Sequence, residues 1–140
     1  MNVFDKAAAG QFCWIDLAAR DAEAAETFYG QLFGWTARPQ PANGGSFTRL
    51  QLGGTDVGSM YQLGRKHLEH GVPSHWTPYV QIHSVEAAMA RAVGLGAEPI
   101  VRPFEVSRMA RIAVVLDPAG APVGLWEPLA TAKGGESARN

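Results

Sequence analysis

The residues best suited to chemistry in this chain alternate along its predicted strands and combine aromatic rings with ionisable groups. Aromatic side chains offer stacking surface, and an arginine binds a carboxylate or phosphate through paired hydrogen bonds. This composition predicts a site for a small aromatic or partly anionic organic molecule. The predicted ligand-binding residues are Trp14, Asp16, Phe47, Arg49, Met60, Tyr79, Gln81, Arg111 and Trp126. Within this set Asp16 and Tyr79 are the candidates for an acid–base group.

The same residues also allow a purely structural interpretation. Trp14 and Trp126 could fill the interior, and Asp16 with Arg49 could form a partly buried ion pair that serves no ligand. Cys13 is predicted to be a buried packing residue rather than a nucleophile, because strand alternation directs it towards a helix and no histidine is placed beside it.

Three histidines, His67, His70 and His75, lie close together in the segment KHLEHGVPSH. His67 and His70 are spaced to share a helical face, which would suit a metal ion. The composition of the segment, however, is typical of a polar connector between the two halves. Whether these histidines bind anything is left open by the sequence. Glycine-rich phosphate loops and the G-x-S-x-G, CxxC and HExxH motifs do not occur.

The bulk composition narrows the class of protein. The chain has 140 residues, 46% of them hydrophobic, and a formal net charge of −1. A chain with this charge lacks the excess of positive charge that is typical of proteins that bind nucleic acid or an anionic membrane. A single cysteine requires no oxidising compartment, and no apolar run approaches the roughly 20 residues of a membrane helix. We therefore expect a cytoplasmic protein that binds neither nucleic acid nor membrane.

The order of predicted elements repeats along the chain. Strand patterns are separated in each half by a helix pattern that ends at Gly34 or Gly96. Aligning Trp14 with Thr77, at an offset of 63, superimposes the two halves. We predict an N-terminal extension over 1–10, modules over 11–63 and 76–128 within a single domain over 11–128, a linker over 64–75 and a disordered tail over 129–140. The strands are predicted at 12–17, 47–52, 57–63, 76–82, 99–106, 110–116 and 123–126, and the helices at 21–33 and 85–95.

Strand alternation assigns each side chain to a face. Cys13, Ile15 and Leu17 are predicted to pack under the first helix, which leaves Trp14 and Asp16 on the other face. In the strand at 110–116, Ile112, Val114 and Leu116 are taken as core, so Arg111 and Ala113 are expected to point the other way.

Three long segments carry a family resemblance. They are AAETFYGQLFGW at 24–35, YVQIHSVEAAMARAVGLGAEPIVRP at 79–103 and VVLDPAGAPVGLWEP at 114–128. Together with FCWIDL at 12–17 they resemble the vicinal oxygen chelate superfamily, which includes glyoxalase I, the bleomycin and fosfomycin resistance proteins and the extradiol dioxygenases. The resemblance is greatest to glyoxalase-like members of unknown activity. It implies an α+β fold of two tandem βαβββ modules that form an open curved-sheet barrel around a central cavity.

The resemblance also implies where a catalytic metal would bind. Metal-using members carry histidine, glutamate or glutamine on the first and last strands of each half. The matching positions here are Trp14, a residue near Met60, a residue near Thr77, and Gly124. None is a suitable ligand for a divalent ion, so we expect no metal and no cofactor.

Three functional hypotheses follow. The first is a metal-free protein that binds a small molecule in the central cavity, as in a sequestering resistance protein or sensor. The second is a lyase, isomerase, hydroxylase or dioxygenase-like enzyme of the same superfamily that uses Asp16 or Tyr79. The third is an interaction module. A homodimer is expected because bleomycin-resistance relatives are dimers.

Overall fold

The computed structural model describes residues 7–42 and 45–129, which fall into two compact units. The first comprises the described residues between 14 and 77, and the second comprises 7–13 with 78–129. The fold is α+β, and its elements follow the order of two βαβββ modules with one short helix between them. The elements are β1 (Phe12–Ala19), α1 (Ala22–Phe33), β2 (Thr36–Ala42), β3 (Gly45–Leu52), β4 (Thr55–Gln62), α2 (Arg65–Glu69), β5 (His75–Gln81), α3 (Val85–Gly94), β6 (Glu98–Val106), β7 (Ala110–Leu116) and β8 (Pro122–Pro128).

Side-chain caps define where the two long helices begin. The carboxylate of Asp21 accepts a hydrogen bond from the Ala24 amide at 3.0 Å, and the Ser84 hydroxyl accepts one from the Ala87 amide at 3.2 Å. Each cap satisfies an amide that has no partner within its helix. Helix α1 ends at Gly34, whose φ of 78° is the left-handed conformation that glycine adopts without a steric penalty.

In the first unit the strands are ordered β2-β3-β4-β1, with β1 and β4 parallel and the other neighbours antiparallel. One face of this sheet packs against α1. Its buried core consists of Leu17, Ala19, Leu50 and Met60, with Ala25 of the helix packed against it. Removal of these apolar side chains from water is the main force that holds α1 on the sheet.

Aromatic residues extend this core at the α1 side. Tyr29 stacks on Trp35 with 5.3 Å between ring centroids, and the Trp76 indole N–H donates to the Tyr29 hydroxyl at 3.3 Å. Phe28 and Phe33, also on α1, remain about half exposed.

In the second unit the order is β5-β8-β7-β6, with β5 and β8 parallel. The face covered by α3 has a buried core of Val85, Ala113, Val115 and Leu125. Strand β7 is buried on both faces, since Ile112, Ala113, Val114 and Val115 are all buried.

The structure confirms the α+β class and the repeated element order, and it adds two elements. Strand β2 was not predicted; it contains Pro39 and Pro41 and forms the edge of its sheet. Helix α2 lies within the segment expected to be a connector. The predicted extension over 1–10 and tail over 129–140 fall mostly outside the described residues. Across the described part of the chain, no helix has the length and apolar character needed to cross a membrane.

Candidate functional site

A chain of hydrogen bonds on the face of the first sheet opposite α1 holds an acidic side chain in place. The Trp14 indole Nε1–H donates to Ser59 Oγ at 2.7 Å, and the Ser59 hydroxyl donates to Asp16 Oδ1 at 2.7 Å. Trp14 and Ser59 are 3% and 4% exposed, so these bonds are shielded from water. Asp16 therefore has one oxygen fixed by the sheet.

The strand register produces this arrangement. Asp16 on β1 lies opposite Ser59 on β4, and Ser59 lies opposite Arg49 on β3. Residues that face each other across neighbouring strands share a face of the sheet. We call this face of the first unit the polar face; its members used here are Trp14, Asp16, Arg49, Gln51, Asp56, Ser59 and Tyr61.

Asp16 has unusual electrostatics for a carboxyl group. Burial raises its pKa from 3.8 to about 6, although the Ser59 hydrogen bond and the nearby His75 both act to lower it. The pKa of Tyr61 is also raised, first by burial and then by the negative charge of Asp16. Asp16 therefore exchanges its proton near neutral pH, while the Tyr61 phenol remains protonated there.

His75 has a defined tautomer when it is neutral. Its Nδ1 lies 2.8 Å from the Pro73 carbonyl oxygen, which can only accept a hydrogen bond. Nδ1 must then carry the proton, and Nε2 is left with the lone pair. His75 is half-buried and lies within electrostatic range of Asp16.

A second polar network lies further along the same face. Arg49 forms a 2.8 Å ion pair with Asp56 Oδ2, and the Gln51 amide donates to Asp56 Oδ1 at 2.8 Å. Arg38 in turn donates to the Gln51 side-chain oxygen at 3.1 Å. The Arg49 Nε–H is buried with no hydrogen-bond partner among the described residues.

The structure thus rejects the proposed ion pair between Asp16 and Arg49. Arg49 is bound to Asp56, and Asp16 is bound to Ser59. Phe47, half-buried, lies two residues before Arg49 and shares its side of β3.

The second unit carries the other predicted site residues that share a face. Tyr79, 5% exposed, lies opposite Gly124, and Gln81 lies opposite Trp126. The rings of Tyr79 and Trp126 meet edge to face with centroids 5.9 Å apart. Tyr79, Gln81 and Trp126 are therefore together on the side of their sheet away from α3.

Two predicted site residues lie on the wrong face. Met60 is 1% exposed in the core beneath α1, so Ser59 rather than Met60 joins Asp16. Arg111 shares a face with the core residues Ala113 and Val115, and it forms an ion pair with Glu86 at the start of α3. The face of Arg111 was predicted from strand alternation, whereas the position near Met60 was implied by the family resemblance.

The predicted site residues do not include Ser59, Tyr61 or His75, which lie around Asp16. Ser59 and Tyr61 alternate on β4, and that period-two spacing was the signal available for them. His75 was grouped with His67 and His70, but it begins β5, whereas His67 lies on the exposed helix α2 and His70 follows it.

Cys13 is 4% exposed, as expected for a packing residue. Burial raises the pKa of its thiol to about 12. Such a thiol is not a nucleophile at neutral pH.

The residues at the positions implied for a metal do not fit one. The strand position near Met60 is taken by Ser59, so the four positions hold an indole, two hydroxyls of Ser59 and Thr77, and the bare backbone of Gly124. Trp14 and Ser59 are also bonded to each other. In the described ranges no cluster of three or more His, Cys, Asp or Glu residues could hold a metal ion.

A protein-family model matches most of the chain. Residues 13–125 match the family model of the glyoxalase-like domain. The proposed glyoxylase CFP32 of Mycobacterium tuberculosis is 33% identical over 116 residues, which cover 81% of this chain and 44% of that protein. The anthracycline biosynthesis protein DnrV of Streptomyces peucetius is 34% identical over 131 residues, covering 85% and 47%. The chain thus spans about half the length of these relatives.

Solved structures agree on the fold. Methylmalonyl-CoA epimerase from Mycobacterium tuberculosis matches with a TM-score of 0.65 and 12% identity, over 92% of this chain and 95% of that one. The Mn(II)-bound glyoxalase from Novosphingobium aromaticivorans matches with a TM-score of 0.57 and 13% identity, over 85% and 39%. At these identities the likeness is one of fold.

Proposed function

The chain belongs to the glyoxalase-like family of the vicinal oxygen chelate superfamily, and from that membership we propose that it binds a small aromatic or partly anionic organic molecule without a metal ion. The observation that carries this proposal is the hydrogen-bonded chain from Trp14 through Ser59 to Asp16. It occupies strand positions where metal-using members carry ligands. The ligand is then held by side chains of the polar face.

The unsatisfied hydrogen-bond donor of Arg49 favours a ligand that carries an anionic group. Its Nε–H is buried without a partner among the described residues, and such a donor costs about 1–3 kcal/mol. A carboxylate that reaches Nε after a small side-chain movement recovers this energy. Phe47 lies beside it and offers apolar contact for a ring. The names of the relatives, a proposed glyoxylase and an anthracycline biosynthesis protein, also point to small organic substrates.

Binding is tested with benzoate, phenylpyruvate and phenyl phosphate, and with acetophenone as the uncharged control. Tryptophan fluorescence and calorimetry measure Kd for the wild-type chain, for Arg49→Met and for Arg65→Met, whose side chain is exposed on α2. We expect one of the acids to bind more tightly than acetophenone, and Arg49→Met to weaken that binding about tenfold. Failure of all three acids to bind at millimolar concentration would contradict the proposal.

Metal independence is tested separately. The protein is treated with EDTA, supplied with Zn²⁺, Ni²⁺ or Mn²⁺, desalted and analysed for bound metal. We expect no stoichiometric retention and no change in the ligand Kd. Retention of one ion per chain would overturn this part of the proposal.

We also propose a homodimer in the cytoplasm. Sedimentation at micromolar concentration tests the first point, and fractionation of cells that express the native gene tests the second. A monomeric profile, or recovery outside the cytoplasm, would reject the respective proposal.

A further inference from the structure

We propose that Asp16, Ser59, Tyr61 and His75 form a metal-independent proton-transfer site that interconverts the keto and enol forms of an aromatic 2-oxo acid. The inference rests on the proposed function, because the acid must bind on the polar face before a proton can move. It assigns an activity to residues of the polar face and its neighbour His75, for which the binding proposal names no chemical step.

Asp16 has the geometry of a general base. Ser59 donates to Oδ1 and so fixes the carboxylate, while Oδ2 accepts no hydrogen bond from any residue that the structure describes. Trp14 acts one step further back, since it donates to Ser59. Ser59 and Trp14 are therefore positioning residues, and Oδ2 is the atom that takes the proton.

Tyr61 supplies the proton donor of the site, and His75 supplies the group that relays a proton. Tyr61 is two residues from Ser59 on β4 and shares its side of the strand, and its phenol is within electrostatic range of Asp16. His75 donates through Nδ1 to Pro73, which leaves Nε2 as a proton acceptor. The site thus combines one base, one neutral O–H donor and one relay nitrogen, all within the first unit.

The reaction is a 1,3 proton shift that balances without any co-reactant. The C3–H bond of the 2-oxo acid breaks, and its proton moves to Asp16 Oδ2. The electron pair of that bond forms the C2–C3 double bond, and the carbonyl π electrons move to the oxygen, which takes the Tyr61 proton. Asp16 then returns its proton to Tyr61 through His75 Nε2.

The substrate class follows from the same face. A C3 carbon attached to an aromatic ring and next to a carbonyl is acidic enough for a carboxylate base once the carbonyl oxygen is hydrogen-bonded. Arg49 offers its unpartnered Nε–H to the substrate carboxylate, and Phe47 lies beside it for the ring.

The test uses phenylpyruvate in the presence of EDTA, with the decay of enol absorbance as the readout. We expect the wild-type protein to accelerate ketonisation about 100-fold or more over buffer. Asp16→Asn should lower kcat/KM about 100-fold and Tyr61→Phe about tenfold, with the Kd for phenylpyruvate nearly unchanged. The matched control is Glu69→Gln, an exposed carboxylate on α2 whose loss should leave the rate unchanged.

A pH profile separates a positioning role from a structural one. The wild-type kcat/KM should rise with pH through a midpoint near 6, where half of the Asp16 carboxyl groups have lost their proton, and should level off at higher pH. Ser59→Ala should move this midpoint upward, because the hydrogen bond that lowers the pKa of Asp16 is gone. His75, Tyr61 and Arg49 also face Asp16 or its neighbours, so their variants are titrated alongside.

The binding and rate measurements together distinguish this inference from the proposed function. If phenylpyruvate binds but its ketonisation is not accelerated, this inference is overturned and the proposed function stands. If none of the three acids binds and no acceleration is seen, the inference and the proposed function are both rejected. Full activity in Asp16→Asn would overturn the inference as well. Should that variant fail to fold, a flat wild-type pH profile between pH 4.5 and 8 serves the same purpose.

Discussion

The ring of Tyr79 lies across the Cα of Gly124, the residue that faces it in the register of β5 and β8. A β-carbon at position 124 would overlap Cγ, Cδ2 and Cε2 of that ring. The equivalent pair in the first unit is Asp16 and Ser59, because Asp16 precedes Tyr79 by the repeat offset of 63. The same two strand positions thus hold a ring over a glycine in one unit and a hydrogen-bonded acid in the other.

Gly124→Ala should destabilise the protein by about 1–3 kcal/mol. The new methyl group would overlap Cγ of Tyr79, which is close to the backbone and cannot move far, and overpacked cores cost energies of this size. Urea unfolding followed by circular dichroism measures the free energy of unfolding. Gly94→Ala is the control, because a β-carbon there meets no atom within 4 Å and its φ is not in the left-handed region; it should be neutral or slightly stabilising. Combining Gly124→Ala with Tyr79→Ala should cost less than the sum of the two single changes. Strict additivity would show that the ring does not limit position 124.

The raised pKa of Asp16 predicts a pH-dependent stability. Between about pH 4 and 6 the folded chain keeps a proton that the unfolded chain has released, so the free energy of unfolding falls as pH rises through this window. A shift from 3.8 to about 6 corresponds to about 3 kcal/mol above pH 6. Asp16→Asn lacks this penalty, so it should match the wild type near pH 4 and exceed it by about 2–3 kcal/mol above pH 7. Urea unfolding of both proteins at each pH tests this, and identical pH dependence would refute it.

Cys13 should be inert in the native protein. It is buried, its thiol pKa is raised to about 12, and it is the single cysteine of the chain. Ellman's reagent at pH 8 should label no thiol in the folded state and one per chain in guanidinium chloride. Rapid labelling without denaturant would mean that β1 opens readily at Cys13.

Strand alternation predicted the site face of β1 correctly and that of β7 wrongly, and the difference lies in how polar one face of each strand is. In β1 the polar Asp16 contrasts with Leu17, and that contrast fixed both faces. In β7 the run Ile112 to Val115 is apolar on both sides, so alternation held no information about Arg111. In β4 apolar residues do not recur at every second position, so alternation could not separate Ser59 from Met60, a position that the resemblance implied only approximately. The register of β3 with β4 also shifts between Leu50 and Gln51.

The elements missed by the sequence have similar causes. Strand β2 carries Pro39 and Pro41, which normally argue against a strand, and they are tolerated here because β2 is an edge strand. The pairing of Arg49 with Asp56 across a hairpin also depends on that irregular register. Neither the ion pair nor the unpartnered Arg49 Nε could be read from residue types alone.

Ser59 joins Trp14 to Asp16 through hydrogen bonds. Ser59→Ala removes the acceptor of the Trp14 N–H and the donor to Asp16 Oδ1. Because hydrogen bonds to a charged group are worth about 1.5–3 kcal/mol, we expect a loss of about 2–3 kcal/mol in the free energy of unfolding at pH 8. In an Asp16→Asn background the same change should cost about 1 kcal/mol less, since the charge-assisted bond is already absent. A double-mutant cycle by urea unfolding measures this coupling, and zero coupling would show that Ser59 supports the sheet independently of the Asp16 carboxylate.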